Sequence, residues 1–454
     1  MRAQIHAETL DPERRAPHSR SPARRFVRAV ALVFAALLAF ALAGSALLLA
    51  TALYALRAAP GDWSVRAGVG PLEVSLSVPA LIRVATHPLG IRLLDGRGLA
   101  TRHGTFHARA GATPTSLVVR CAPCLIDSPL LAARPVRIAE IEAGIEHGES
   151  NQLHGAVRAD RVRATWRGRL GTQNADLELR LVDVPAADLV ALLGRAVPEA
   201  TQARIEGRAG ATVRLSLPSR RYAIEPRLEG LRVTGLGTEA LISSSPLPAC
   251  ARSPRGRRAA APFGAWLPKA VIAAEDQRFH EHAGYDLAEM AAAWSSELPE
   301  EGARRRGAST LSQQLAKMLY VGDERTAARK VRELLYAVEL DRTLGKARVL
   351  QLYLAVVPWG DGQCGAEAAA LHYFGKRAVT LDAAEAVWLA SLLRNPEAEL
   401  ERSAHAVDAV RLNAIAGALR PMARWRREDL QLELGEWHPP PVVTARRGPR
   451  GAAS

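Results

Sequence analysis

Between Ala273 and Leu287 the chain reads AAEDQRFHEHAGYDL, which sets four carboxylates, two histidines and an arginine between two apolar, helix-like runs. Glu275 closes the apolar run AVIAAE, and low-dielectric neighbours there would lift its pKa toward the working range of a general base. Further on, Arg329 and Glu333 stand four residues apart on one helix face with Lys330 beside them. That spacing suits either a plain surface ion pair or a carboxylate set among cations that hold phosphate. His280, His282 and Asp286 could be read as metal ligands. The His-x-x-x-His spacing of a zinc-binding helix is absent, however, and solvent-facing histidines explain the segment as well.

Lysine usage singles out the same part of the chain. Of 60 basic residues only five are lysine, namely Lys269, Lys317, Lys330, Lys346 and Lys376, and all five lie beyond residue 262. Arginine has replaced lysine elsewhere, so the surviving ammonium groups are either a chance cluster or positions where a compact point charge matters, as in phosphate binding. None of the five completes a Ser-x-x-Lys sequence, so a penicillin-reactive serine is not expected.

The elements that must position these groups fall into distinct textures. The 454 residues, 48% hydrophobic and 23% charged, suffice for two or three domains with their own cores. A net charge of +14 points to anionic partners. The basic residues are dispersed, and no zinc-finger spacing, RNP-like aromatic motif or basic recognition helix occurs, so nucleic acid is not the expected partner. Residues 29–56 carry no charge over 28 positions. A helix of that length is ~42 Å long, more than the ~30 Å hydrocarbon core of a bilayer requires. Seven arginines against three acids precede it. The positive-inside rule therefore predicts a cytoplasmic basic tail over 1–28, a single retained membrane anchor over 29–56, and the remainder outside.

From Trp63 to about Leu241, short alternating runs such as LEVSLSV, SLVVR, VRADRVRATWRGRL and ADLELRLVDV predict a β-rich module over 57–242, interrupted by one helix near Ala186 to Leu193. Its rhythm vaguely resembles AsmA-like envelope modules. Cys121 and Cys124, in CAPC, predict a local structural disulfide rather than a redox pair, and Cys250 and Cys364 stay unassigned. The Pro-, Ser- and Arg-rich stretch 243–262 predicts a linker. Beyond it LPKAVIAAEDQRF, STLSQQLAKMLYV, TAARKVRELLYAVELDRTLG, KARVLQLYLAVV, AEAAALHYFG and DAAEAVWLASLLR place apolar residues at helical spacing. The fold class is thus α+β and multidomain: an anchor, a β-rich outer module and a mainly α domain over 263–425, with a C-terminal tail over 426–454.

The helical part resembles glycosyltransferase family 51, the peptidoglycan transglycosylases related to the glycosyltransferase domain of class A penicillin-binding proteins. EDQRFHEHAGYD is similar to the family's first motif, GASTLSQQLAK to the second, RKVRE to the third and RVLQLYLAVVPWG to the fourth. GAEAAALHYFGK with LDAAEAVWLASLLRNP resembles the fifth, so five motifs follow in order. Three positions depart from the pattern: Gln351 stands where the family usually has Glu, Ala355 where it has Asn, and Met318 where Asn commonly follows the lysine. The resemblance implies a lysozyme-like α fold that polymerises lipid II into β-1,4-linked glycan and releases undecaprenyl diphosphate. It implies Glu275 as catalytic base and Glu333 as the second carboxylate. Lys317, Arg329 and Lys330 become diphosphate cations, and Ser309 and Gln314 polar positioning groups. Asp276, Phe279, His282, Gly284 and Asp286 become the scaffold of the first motif. A divalent cation such as Mg²⁺ is the cofactor it implies. The partners implied are lipid II, the growing strand, the membrane and other cell-wall synthesis proteins, and the location is the bacterial inner membrane with a periplasmic catalytic domain. Two other readings stand beside it: a lysozyme-like enzyme that cleaves glycan, and a non-enzymatic, lipid-handling envelope protein with a degenerate transglycosylase domain.

Overall fold

The computed structural model describes residues 63–69, 72–171, 173–219, 221–243, 263–294 and 309–438, with a few isolated positions beside them. The basic tail, nearly all of the apolar run 29–56 and all but the first residue of the 243–262 linker lie outside the described residues. Among the described residues no helix is long and apolar enough to cross a membrane. The chain forms two compact units, Met1–Leu81 and Ile82–Ser454. The first contains an antiparallel hairpin of β1 (Ser64–Val69) and β2 (Leu72–Ser77), with Ser64 opposite Ser77. The β-rich region expected over 57–242 is therefore divided, because this hairpin belongs to the first unit.

Sequence alternation misses two helices that follow, α1 (Val78–Ala85) and α2 (Pro88–Leu94). Each carries a proline in its first turn, where the missing N–H costs nothing. The His87 side chain caps α2 by accepting from the Leu89 N–H. Then come β3 (Gly98–Thr101), β4 (Gly104–Ala110), β5 (Ser116–Ile126), β6 (Val136–Ile138), β7 (Ile141–His147), β8 (Gln152–Ala159), β9 (Val162–Leu170) and β10 (Ala175–Pro185). After α3 (Ala186–Ala191) follow β11 (Arg204–Leu217) and β12 (Arg221–Thr234). They form one ten-stranded antiparallel sheet in the order β12-β11-β10-β9-β8-β7-β5-β4-β3, with β6 paired to β5. In β9 the even spacing is plain: Arg163, Arg167 and Arg169 are exposed while Val162 and Leu170 are buried. The run VRADRVRATWRGRL, read as a single stretch, is in fact a hairpin. Asp160 turns it at φ +48°, a left-handed conformation that Asp tolerates. Cys121 and Cys124 form a disulfide inside β5 itself; Cys364 is disulfide-bonded too, and Cys250 lies outside the described residues.

The helical region comprises α4 (Leu267–Glu275), α5 (Leu287–Trp294), α6 (Leu311–Ala316), α7 (Ala327–Val356), α8 (Ala366–Phe374), α9 (Ala383–Ser391), α10 (Pro396–His405), α11 (Ala409–Ala418) and α12 (Arg424–Gly435). The two runs that read as separate helices meet at Gly345, whose non-helical backbone (φ +72°, ψ 164°) breaks α7 into two segments there. Trp359, Trp388, Tyr353, Phe279 and Leu352 are fully buried in its core. The same core takes Leu430 and Leu434 of α12, so the domain continues past Trp425 and 426–435 is not a loose tail.

Sheet and helices are not separate bodies. Val190, Val197 and Val233 share an apolar cluster with Ala328, Leu335 and Val338 of α7. The first N–H groups of α7, normally orphaned, donate to the module's backbone: Ala327 to the Leu130 carbonyl (2.8 Å) and Ala328 to that of Leu131 (2.9 Å). Glu339, fully buried on α7, accepts from the N–H groups of Leu236 (3.0 Å) and Thr238 (3.3 Å) and from the Thr238 hydroxyl (3.0 Å).

Candidate active site

Glu275 is the last residue of α4, and Asp276 leaves the helix at φ −158°. Its carboxylate accepts from the Gln314 amide (3.1 Å) and from Arg411 on α11 (3.2 Å). Burial pushes its pKa up; the Gln314 hydrogen bond and the Arg411 charge oppose that only in part. The orientation of Gln314 follows from its partners. Its carbonyl accepts from the Tyr353 hydroxyl (2.8 Å), which turns the NH₂ toward Glu275. Burial holds the Tyr353 pKa well above 10, so it stays a neutral donor.

The first motif folds around Asp276. Its buried carboxylate accepts from the Leu311 N–H at the start of α6 (2.9 Å) and pairs with His282 Nε2 (2.9 Å). Thr310 caps α6 in a reciprocal box with Gln313, and its hydroxyl donates to the Gly284 carbonyl (2.7 Å). Gly284 sits at φ +89°, and a Cβ there would lie 2.4 Å from the Ala337 carbonyl of α7; only glycine fits. Lys346 donates to the His282 carbonyl and stands 4.6 Å from the buried Phe279 ring. Asp286 caps α5 by accepting from Ala288 N–H (3.0 Å). His280 is exposed, and Asp276 occupies the His282 nitrogen that a metal would need.

On α7, Glu333 is buried and each of its oxygens has its own cation: Arg329 on Oε1, and Lys330 on Oε2 at 2.6 Å. Lys330 also donates to the Ser309 hydroxyl. Ser309 links the two carboxylates, since its carbonyl accepts from the Gln314 amide that holds Glu275 (3.4 Å). The structure thus gathers Glu275, Gln314, Ser309, Lys330, Arg329 and Glu333 into one connected set. Lys317 pairs instead with Asp323 (2.9 Å), from a π-helical turn, Lys317–Val321, whose Tyr320 stacks on Tyr336 of α7 (4.3 Å between ring centroids).

Sequence reading missed Arg411 and Tyr353. Arg411 lies 136 residues from Glu275, held by a bond from its Nε to the Ser391 carbonyl (3.0 Å), and a single arginine in a helix gives no spacing signal. Tyr353 reads simply as a core aromatic. Of the departures from the family pattern, Gln351 accepts from Arg348 (2.7 Å), which also donates to the Leu241 carbonyl (3.0 Å). Ala355 and Met318 pack against the helical core. A divalent cation does not fit these donors as they stand. Both Glu333 oxygens are engaged by cations, and among the described residues no three His, Cys, Asp or Glu side chains come together to hold a metal ion.

Residues 257–419 match the family described as transglycosylase. Curated relatives similar to this region are named biosynthetic peptidoglycan transglycosylase. The protein from Nitrosomonas eutropha is 45% identical over 130 residues, covering 29% of this chain and 53% of its own length. That from Nitrosomonas europaea is 48% identical with the same coverage, and that from Shewanella oneidensis is 47% identical over 29% of this chain and 55% of its own. The chain spans about half the length of the curated relatives it matches, and the similarity leaves the ten-stranded sheet unaccounted for.

Proposed function

We propose that this chain polymerises lipid II into β-1,4-linked glycan strands and releases undecaprenyl diphosphate. The observation that carries the reading is the pairing of a largely shielded carboxylate, whose pKa desolvation raises, with a separate cation cluster one hydrogen-bonded chain away. Glu275 takes the proton from the acceptor's 4-hydroxyl, that oxygen attacks the donor's anomeric carbon from the face opposite the leaving group, and the carbon–oxygen bond to diphosphate breaks with inversion. Arg329 and Lys330 meet the charge that develops on the departing diphosphate, a contribution often larger than that of the base. The proton on Glu275 then passes to solvent. No step is assigned to a divalent cation.

Glycan cleavage is the weaker alternative. It needs an acid and a second carboxylate free to act on water or on the sugar, whereas Glu333 has both oxygens taken by cations. We place the catalytic region outside the inner membrane, tethered by residues 29–56. The charge-free run and the arginine excess before it support this, and a tether would raise the effective concentration of a lipid-bound substrate. Reporter fusions test it: a cytoplasmic C-terminus would overturn the topology. The activity is tested by incubating the detergent-solubilised full chain with lipid II and, separately, with finished glycan. Polymer from lipid II is the expected product, and cleavage of finished glycan without polymerisation would overturn the reading.

A further inference from the structure

A cavity of about 770 Å³ opens where the sheet module meets the start of α7. Among the described residues, five arginines line it, Arg134, Arg137 and Arg195 from the module and Arg329 and Arg332 from α7, against one acid, Glu324. Arg332 is already neutralised by Glu199 (Nε to Oε1, 2.8 Å), and Arg329 by Glu333. The side chains of Arg134, Arg137 and Arg195 make no hydrogen bond or ion pair among the described residues, and all three are exposed at the cavity's edge. The Arg329 Nε is buried and has no hydrogen-bond partner among the described residues. Thr326 and Ala328, at the positive end of the α7 dipole, form part of the same wall.

Unneutralised guanidinium groups gathered on one concave wall repel one another, and the arrangement stores a demand for an anion. Arginine's planar fork meets phosphate oxygens two at a time, and the volume falls in the range of ligand pockets. We infer that this cleft binds a phosphate-bearing headgroup, and that the sheet module thereby adds a second set of cations next to Arg329. Two sources share that chemistry: the diphosphate of a lipid-linked sugar and the headgroup of an anionic phospholipid. The first rests on the function proposed above; the second does not.

The test compares the full chain with the triple variant R134Q/R137Q/R195Q, checked for retained fold by circular dichroism. Affinity is measured by calorimetry for inorganic diphosphate, and by co-sedimentation with phosphatidylglycerol vesicles against phosphatidylcholine vesicles. Loss of diphosphate affinity by ~10-fold or more in the variant, the size expected when two or three weak, exposed ion contacts go together, assigns the cleft to a diphosphate. A comparable loss confined to phosphatidylglycerol assigns it to a phospholipid headgroup. Unchanged affinity in both arms overturns the inference. Neither arm measures turnover, so a chain inactive on lipid II that still loses anion affinity with these arginines would sink the proposed function and leave the cleft standing.

Discussion

Glu275, its side chain largely shielded, and Glu333, fully buried, belong to one connected network, yet their surroundings are opposite in character. Glu275 ends a helix, where the dipole disfavours negative charge, and it faces one amide and one arginine. Glu333 sits inside a helix with a cation on each oxygen. Desolvation therefore wins at Glu275 and lifts its pKa, leaving a carboxylate able to take up a proton. At Glu333 the carboxylate serves as an anchor that holds Arg329 and Lys330 in place. The same residue type is made a base by withholding partners and a fixed counter-ion by supplying them.

The largest effect should come from Glu333→Gln. Removing one member of a buried ion network leaves Arg329 and Lys330 facing each other unneutralised, a loss of ~3–5 kcal/mol, visible as a lower Tm at pH 7 together with lost polymerisation. A variant as stable as the parent would show that the two cations are held by something other than this carboxylate. Glu275→Gln should act on rate instead. Without a proton acceptor, lipid II polymerisation should fall ~10²-fold or more while inorganic diphosphate, bound by the other cluster, keeps its affinity. Near-parental turnover in the folded variant would remove Glu275 from the chemistry. Glu339 sharpens the contrast as another buried glutamate, served among the described residues by neutral donors from the module. Glu339→Gln loses an accepting oxygen and should cost ~1–3 kcal/mol. Hydrogen exchange would report it as faster exchange at the Leu236 and Thr238 amides, and unchanged exchange would mean that the joint does not depend on this carboxylate.

Local chemistry made much of the helical region legible. The apolar spacing and the Arg329–Glu333 pair are written within four residues and recur in the structure as read; the Thr310–Gln313 and Asp382–Glu385 capping boxes are equally local. What escaped was long-range or conformational. Arg411 reaches Glu275 through the packing of α11 against α4. The attachment of α7 to the module depends on backbone carbonyls at Leu130 and Leu131, which no side chain advertises. In the sheet, β9 follows its alternation, but the turn at Asp160 was hidden because Asp and Arg continue the polar rhythm without a glycine or proline to interrupt it. Helices α1 and α2 were missed where their prolines looked like strand-ending turns.

The smallest expected effect is the one that tests the physical cause of the comparison. Burial raises the folded pKa of Glu275 above its ordinary 4.5, so the native state favours the protonated acid. The stability gained this way is fully present below pH 4.5 and is lost as pH rises through the folded pKa, because ionising the buried group then works against folding. Glutamine cannot ionise. The Tm of Glu275→Gln minus that of the parent should therefore be constant at low pH, become more positive as pH climbs through the raised pKa, and level off beyond it. At Glu333 the same substitution should lower Tm at pH 7, so the two variants should move in opposite directions there. The acid limb of polymerisation by the parent should fall in the same window as the rise in the Tm difference, since one ionisation governs both. A Tm difference that stayed flat from pH 4 to pH 8 would mean that Arg411 and Gln314 fully offset the desolvation of Glu275. The contrast between the two carboxylates would then have to rest on position alone.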